Sequence, residues 1–328
     1  MPQQEILCPA SVSTRKLPVN FNRADAGLFE HEIEMTIPAT VLLCLENISI
    51  NSAGILFRGS KVLPQSYPSP NFAKTWQGRR TRLKLFIKNC LKPQQRIEQD
   101  VFWFTDTWSQ VYFHWMTDAL PRLLAIRDQV GDATLLLPSA YGGEEYIVSS
   151  LKPFGIQQLK FIHETFHCKN LKLSTHTAPT GNYNEKLIRD LRKTYTDFYE
   201  AARSVCAGNK IYISRSKAQR RKIVNEEECL AILNEYGFET IYFEDYTFEQ
   251  QVEIALNAEY LVSNHGAGIT NILFMKPDSK VLELRKTGDA NNNCYFALAS
   301  VTDRPNEATH DRPNRATFKW PFSGFGRG

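Results

Sequence analysis

Residues 260–275 run from an apolar, β-branched stretch (Tyr260, Leu261, Val262) into a polar, glycine-rich turn, Ser263-Asn264-His265-Gly266-Ala267-Gly268, and then into a second apolar stretch with helical spacing. That order reads as strand, tight loop, helix. At such a junction free backbone N–H groups and the positive end of the helix point beyond the carboxyl end of the strand, a setting that suits a phosphate. A second stretch, Ser214-Arg215-Ser216-Lys217-Ala218-Gln219-Arg220-Arg221-Lys222-Ile223-Val224-Asn225, puts five cations in a loop that also follows a strand. Guanidinium groups offer planar, paired donors that match phosphate oxygens, so the two loops together describe a diphosphate cradle. The third stretch holds His114, Asp118 and Arg122 at i, i+4, i+8, which on a helix share one face while Tyr112, Met116, Ala119, Leu120 and Leu123 form the apolar stripe. An imidazole one turn from a carboxylate is a common arrangement for moving a proton.

These side chains need a frame, and the C-terminal half shows it most clearly. Lys210-Ile211-Tyr212-Ile213 reads as a strand, Asn225 with Glu226, Glu227 and Glu228 as an N-cap and acidic first turn, and Gly237 as the end of that helix. Another strand spans about 238–243, Thr247 and Gln250 make a capping box for a helix reaching Ala258, and Lys280 to Leu284 forms the strand after the glycine loop. Strands joined by helices through short turns imply a parallel, right-handed, Rossmann-like sheet. The N-terminal half alternates too: short β-rich runs between 33 and 61, strands near 133–138 and 159–162, a helix at about 144–152 and a long amphipathic helix at 184–203. Pro121 interrupts the helical pattern of the third stretch and must kink that helix or start a new one. We expect an N-terminal arm, irregular to about residue 30 and β-rich beyond it, an N-terminal lobe at 1–206, a C-terminal lobe at 207–302, and a mobile tail at 303–328. The tail nearly repeats Asp303-Arg304-Pro305-Asn306-Glu307-Ala308-Thr309-His310 in residues 311–318 and is too polar to bury a core.

The 328 residues suit two lobes, and 42% hydrophobic content with 12% aromatics supplies their cores. A net charge of +4 from nearly balanced signs gives no nucleic-acid stripe. The basic run Arg79-Arg80-Thr81-Arg82-Leu83-Lys84 reads as a solvated face, with an anionic acceptor or a lipid surface as the functional option. Seven scattered cysteines without CxxC spacing fit reduced thiols, and His163, His167 and His176 lack metal-pair spacing and read as turn or surface histidines. No signal peptide or apolar run of spanning length is visible. The loops lack GxGxxG and GxxxxGK[ST], which disfavours a dinucleotide oxidoreductase and a P-loop NTPase, and no Asp-x-Asp occurs to chelate a metal-bound diphosphate. A cation-rich, metal-free diphosphate site points to nucleotide-sugar chemistry, where protein charge stabilises the departing diphosphate and a general base takes the acceptor's proton.

The motifs His-Trp-x-x-Asp-x-x-Pro-Arg at 114–122, Ile-Ser-Arg with Arg-x-Ile-x-Asn-Glu at 213–226, and His-Gly-Ala-Gly-x-Thr-Asn-x-x-Phe-Met at 265–275 together resemble glycosyltransferase family 61. Val281-Leu282-Glu283-Leu284 matches the family's next strand, and the likeness covers roughly residues 102–299. It implies an α/β, GT-B-like fold with two Rossmann-like lobes of parallel sheet facing a cleft. It also implies an inverting, metal-independent mechanism without a cofactor and a nucleotide-sugar donor, often UDP-linked, in the C-terminal lobe. Lacking an anchor or disulfide pattern, the chain is more similar to the bacterial polysaccharide enzymes. A glycan or lipid-linked glycan acceptor and a cytoplasmic location, with peripheral contact to the inner membrane as an option, follow from that likeness.

Carried onto this sequence, Arg215 and Arg221 match the motif arginines for the diphosphate, with Arg220 competing for the second place. Asn225 and Glu226 match the start of the following helix, where helix capping is an equal reading. His265, Gly266, Ala267, Gly268, Thr270 and Asn271 match the donor loop, with Gly266 allowing close backbone approach and Thr270 or Asn271 reaching a phosphate oxygen. Glu283 is a candidate for ribose hydroxyls, with a cap or a surface pair as an equal reading. Asp118 is the candidate general base and His114 its orienting partner or the alternative base, while Arg122 holds the aspartate ionised and Trp115 and Arg122 lie on the acceptor side. After Tyr295-Phe296-Ala297-Leu298-Ala299, where family members continue into further strand and helix, this chain enters its tandem tail. That departure keeps open a catalytically silent nucleotide- or glycan-binding scaffold, and an epimerase or hydrolase on similar lobes.

Overall fold

The computed structural model describes residues 4–18, 21, 23–59, 61–69, 71–72, 94–131, 133–200, 207–285, 291 and 293–302. The basic run at 79–84, the tandem tail, Cys90 and Cys206 lie outside these residues. The chain divides into two compact units, Met1–Ser11 with Thr36–Thr180, and Val12–Met35 with Gly181–Gly328.

In the first unit β1 (Gln4–Cys8) pairs antiparallel with β4 (Thr40–Ile50); β2 (Ser11–Thr14) and β3 (Glu34–Ile37), between them in sequence and mostly within the 12–35 segment of the second unit, form a separate two-stranded sheet, so the arm, irregular by expectation to about residue 30, contains ordered strands. The first unit continues through β5 (Leu56–Arg58), β6 (Lys61–Val62), β7 (Gln94–Ile97), β8 (Val101–Trp103), β9 (Thr134–Pro138), β10 (Leu159–Ile162) and β11 (Thr165–Ser174). Among the described residues its sheet has nine strands, with the main path β10-β9-β8-β11-β4-β5-β6. Pairs β8–β9, β9–β10 and β8–β11 are parallel, whereas β4 is antiparallel to β1, β5 and β11. The first lobe is therefore a mixed sheet and not the parallel one expected. Only five residues join β4 to β5 and two join β5 to β6, too few for the crossover that parallel neighbours require. Leu45, Ile48, Ile50, Val101, Trp103, Leu136, Phe166 and Leu171 pack into the core of this sheet.

The second unit holds four parallel strands, β12 (Lys210–Ile213), β13 (Glu239–Ile241), β14 (Tyr260–Asn264) and β15 (Lys280–Leu284), in the order β13-β12-β14-β15. Thr247 and Gln250 form the expected capping box at the head of the Phe248–Asn257 helix. The Glu185–Tyr199 helix, assigned from sequence to the first lobe, belongs to this unit. Its N-cap Asn184 accepts the Leu187 N–H at 3.1 Å, and Tyr195 on its buried face meets Phe248 and Phe274 with ring centroids 6.0 and 5.0 Å apart.

In both sheets the chain reverses its direction of travel at one pair of neighbouring parallel strands. From β8 it steps outward to β9 and β10 and then returns to the other side of β8 as β11; from β12 it steps to β13 and then crosses to β14. Connections diverge at the carboxyl ends of such a pair and leave a crevice, which is where open α/β sheets bind ligands.

Candidate functional site

The third motif follows β8 directly. Tyr112–His114 and Leu120–Val130 are α-helical, and Trp115–Ala119 between them is a π turn in which the Leu120 N–H reaches the Trp115 carbonyl. Pro121 has no N–H and crowds the carbonyl four residues back, and a single wide turn admits its ring without breaking the helix. The expected kink is thus a bulge, and it carries Asp118. His114 Nδ1 and Asp118 Oδ2 are 2.8 Å apart, with side chains 18% and 10% exposed, so the pair is held yet open to a ligand. The Thr180 hydroxyl donates to the same Asp118 oxygen at 3.2 Å. The Thr117 hydroxyl lies 3.4 Å from the other oxygen, Oδ1, a long contact, and donates at 2.7 Å to the Phe113 carbonyl. A carboxylate so oriented, with one oxygen only weakly engaged, is suited to accept a proton from an alcohol.

Arg122 and Trp115 differ from expectation. Arg122 is fully buried, donates from Nε and Nη2 to the Ser174 carbonyl at 3.2 and 2.8 Å, and lies 3.6 Å from Asp106 Oδ2. Asp106 is thus its ion-pair partner, with Asp118 adding only longer-range attraction. Trp115 is also fully buried and donates its indole N–H to Ser150 Oγ at 2.7 Å, so it packs the core and does not face an acceptor. Asp106 Oδ2 in turn meets His176 Nε2 at 2.8 Å, and Asp106 Oδ1 accepts the Trp108 N–H at 2.8 Å. Burial alone pushes the Asp106 carboxyl up, but the His176 hydrogen bond and the Arg122 charge outweigh it and leave the group below its ordinary value. Asp106 follows β8 and His176 follows β11, the two strands of the first reversal.

The loops after β12 and β14 meet at the second reversal. A Cβ built on Gly266 would lie 2.2 Å from Arg215 Nη1 and 2.5 Å from Arg215 Cζ, so the guanidinium rests on the bare backbone of the glycine loop. Gly266 has extended backbone that any residue could adopt, and its role is this close approach alone. Arg215 Nη2 donates to the Arg220 carbonyl at 3.1 Å, while its buried Nε finds no partner among the described residues. Asn264 Nδ2 donates to the Arg221 carbonyl at 2.6 Å, tying the loops a second time. Arg220 and Arg221 are themselves exposed, whereas Lys217 is engaged by Asp245 Oδ1 at 2.6 Å.

Several residues carried onto this loop serve the frame. The Glu226 carboxylate accepts Tyr212 Oη at 2.6 Å and Ser214 Oγ at 2.7 Å, holding the arginine loop to β12. Asn225 occupies the N-cap position without capping the backbone and donates to Glu228 Oε2 at 3.3 Å. Gly268 sits against Ile213, whose Cγ2 would be 3.2 Å from an added Cβ, and Ala267 begins a 3-10 helix, Ala267–Phe274, that buries Thr270 and Asn271. Both side chains are buried in the core of the second unit. Glu283, expected at a ribose, is buried, hydrogen-bonds His265 Nδ1, and has Arg285 Nε 4.0 Å from its other oxygen. It fixes the His265 ring, whose centroid is 5.0 Å from that of Tyr295.

The profile of the Glycosyltransferase 61 family matches residues 112–282, just over half of the chain. The chain belongs to glycosyltransferase family 61. Within the family it is similar to the EGF domain-specific O-linked N-acetylglucosamine transferase of Drosophila melanogaster, 35% identical over 93 residues, which is 27% of this chain and 17% of the relative. The Bos taurus protein of that name is 30% identical over 97 residues, 28% of this chain and 18% of the relative. The Homo sapiens Protein O-linked-mannose beta-1,4-N-acetylglucosaminyltransferase 2 is 38% identical over 80 residues, 24% of this chain and 14% of the relative. The matched stretch thus spans less than a fifth of the length of these animal relatives.

The family 61 profile contains both reversal loops of the second unit and the whole 112–130 helix. It begins after Asp106 and Trp108, which sequence reasoning passed over, and His176 reads in the sequence as a turn or surface histidine. A carboxylate three residues beyond a buried strand was the signal available for Asp106; His176 lies 70 positions away and carried none.

Proposed function

We propose that this family 61 chain transfers a sugar from a nucleotide-sugar donor, UDP-linked in our reading, to a hydroxyl of a glycan or lipid-linked glycan. The observation that supports this best is the guanidinium of Arg215 laid over Gly266 at the β12/β14 reversal, with Nε unpartnered among the described residues. The cation there is held by the loop itself, so it stabilises charge on a departing diphosphate without having to reorganise. Arg220 and Arg221 add charge from the loop rim, in place of a metal ion. Asp118 takes the proton of the acceptor hydroxyl as its oxygen bonds to the anomeric carbon, and the bond from that carbon to the diphosphate breaks with inversion. His114 and Thr180 keep the carboxylate oriented. Polysaccharide assembly at the cytoplasmic side of a membrane is the setting we propose; among the described residues no helix is long and apolar enough to cross one.

A panel of nucleotide sugars tests this, read by calorimetric binding and by slow donor hydrolysis. Asp118→Asn should abolish transfer and hydrolysis, a loss of about 10³-fold or more, while leaving UDP affinity within about twofold. Retained turnover removes Asp118 from the role of base, and binding without any hydrolysis or transfer in the native protein favours the silent scaffold.

A further inference from the structure

At the β8/β11 reversal an indole stands open to water. Trp108 is 37% exposed, yet it is not loose. Its backbone N–H is held by Asp106 Oδ1 at 2.8 Å, and its ring meets Phe72 edge-on with centroids 5.5 Å apart. On another side it lies 4.9 Å, centroid to centroid, from the ring of His114, the partner of Asp118. The same Asp106 carboxylate that holds Trp108 also fixes His176 through Nε2, and Nδ1 of that part-exposed ring has no partner among the described residues. An immobilised indole, in ring contact with one imidazole that pairs with the Asp118 carboxylate and tied through Asp106 to a second, presents apolar and polar groups in the pattern of a pyranose. The polarised C–H bonds on one face of such a sugar suit the negative face of an indole, and its hydroxyls suit the ring nitrogens.

We propose that Trp108 and His176 form the acceptor subsite: Trp108 stacks against a pyranose ring of the acceptor, and His176 Nδ1 hydrogen-bonds one of its hydroxyls, which sets another hydroxyl toward Asp118. The proposal rests on the glycosyl-transfer reading and names the acceptor as a pyranoside, bound by its ring. Because the indole is pinned in advance, little ordering entropy opposes binding.

Saturation-transfer NMR on the full chain, with methyl glycosides of glucose, N-acetylglucosamine, mannose and xylose as probes and uridine as the competing aromatic ligand, tests it. The expected result is transfer to the C–H protons of one pyranose face for at least one glycoside. Trp108→Ala should weaken that binding roughly tenfold, Trp108→Phe should restore most of it, and His176→Ala should weaken it severalfold. UDP affinity should stay as in the native protein in all three variants, which also reports that they are folded. Glycoside signals indifferent to Trp108→Ala, no glycoside signal at all, or a Trp108-dependent signal from uridine instead, each overturns the subsite. Donor hydrolysis in the same samples separates the two ideas: hydrolysis with no Trp108-dependent glycoside sinks only the subsite, whereas Trp108-dependent glycoside binding without donor binding or hydrolysis sinks only the transferase reading.

Discussion

Gly266 and Arg215 show how a single missing methyl group can decide a site. The glycine's backbone is extended, so Gly266→Ala strains nothing, yet its Cβ would occupy the place of the Arg215 guanidinium. The guanidinium ends a flexible side chain and would swing away, and the cradle would lose it. We expect Gly266→Ala and Arg215→Ala each to weaken UDP binding by about 1.5–3 kcal/mol, the range for hydrogen bonds to charged groups. The double variant should bind no worse than the poorer single one, because both remove the same contact; additive losses in calorimetry would show separate roles. Asp106 gives a pH prediction at the same scale. Its pKa is lowered on folding, so the stabilisation it brings is fully present above the unfolded value of about 4 and is lost as pH falls through the lower folded value. Asp106→Asn leaves Arg122 buried without its counter-charge and should cost about 3 kcal/mol at neutral pH. Thermal melts of native and variant proteins should converge as pH drops below about 4, and a gap that widens in acid contradicts the assignment.

Among the elements, the arginine loop illustrates what a motif does for the frame that carries it. Glu226 begins the Glu226–Glu235 helix and accepts the hydroxyls of Tyr212 on β12 and Ser214 just after it, so strand, loop and helix share one carboxylate. Glu226→Ala should speed hydrogen exchange in residues 214–225 by about tenfold and weaken UDP binding, while exchange in β14 and β15 stays protected. Unchanged exchange in the loop would mean that Glu226 is not what holds it. The 112–130 helix makes a related point. Its spacing and its proline were legible, and with them the shared face of His114 and Asp118, but the π turn was not, because Pro121 disturbs the helix in more than one permitted way. The same spacing placed Arg122 with them; the extra residue in the turn shifts the register beyond it, and Arg122 turns inward to Asp106 and Ser174.

For the whole molecule, the boundary between units was the least legible feature. Residues 12–35 precede the first unit's main strands, yet they pack with the second, where Arg15 is buried against Glu32 Oε2 at 2.7 Å and hydrogen-bonds Asn182. Arg15→Met should destabilise the second unit by roughly 2 kcal/mol, read as faster hydrogen exchange in β12 to β15 with the β8 to β11 region unaffected. Equal effects in both regions would contradict the division. Local order explains what could be read from the chain alone. Strand runs, caps, glycine turns and the three motifs depend on neighbours within a few positions, so the parallel second sheet, the capping box, the loops after β12 and β14 and the His114–Asp118 pair were all available from the residues. Only the tertiary structure could bring His176 to Asp106, lay Arg215 over Gly266, bury Glu283 behind His265 and draw Trp115 and Arg122 into the core. Those contacts are fixed by which strands become neighbours in each sheet, a choice made by burial over the whole unit and not by any local spacing.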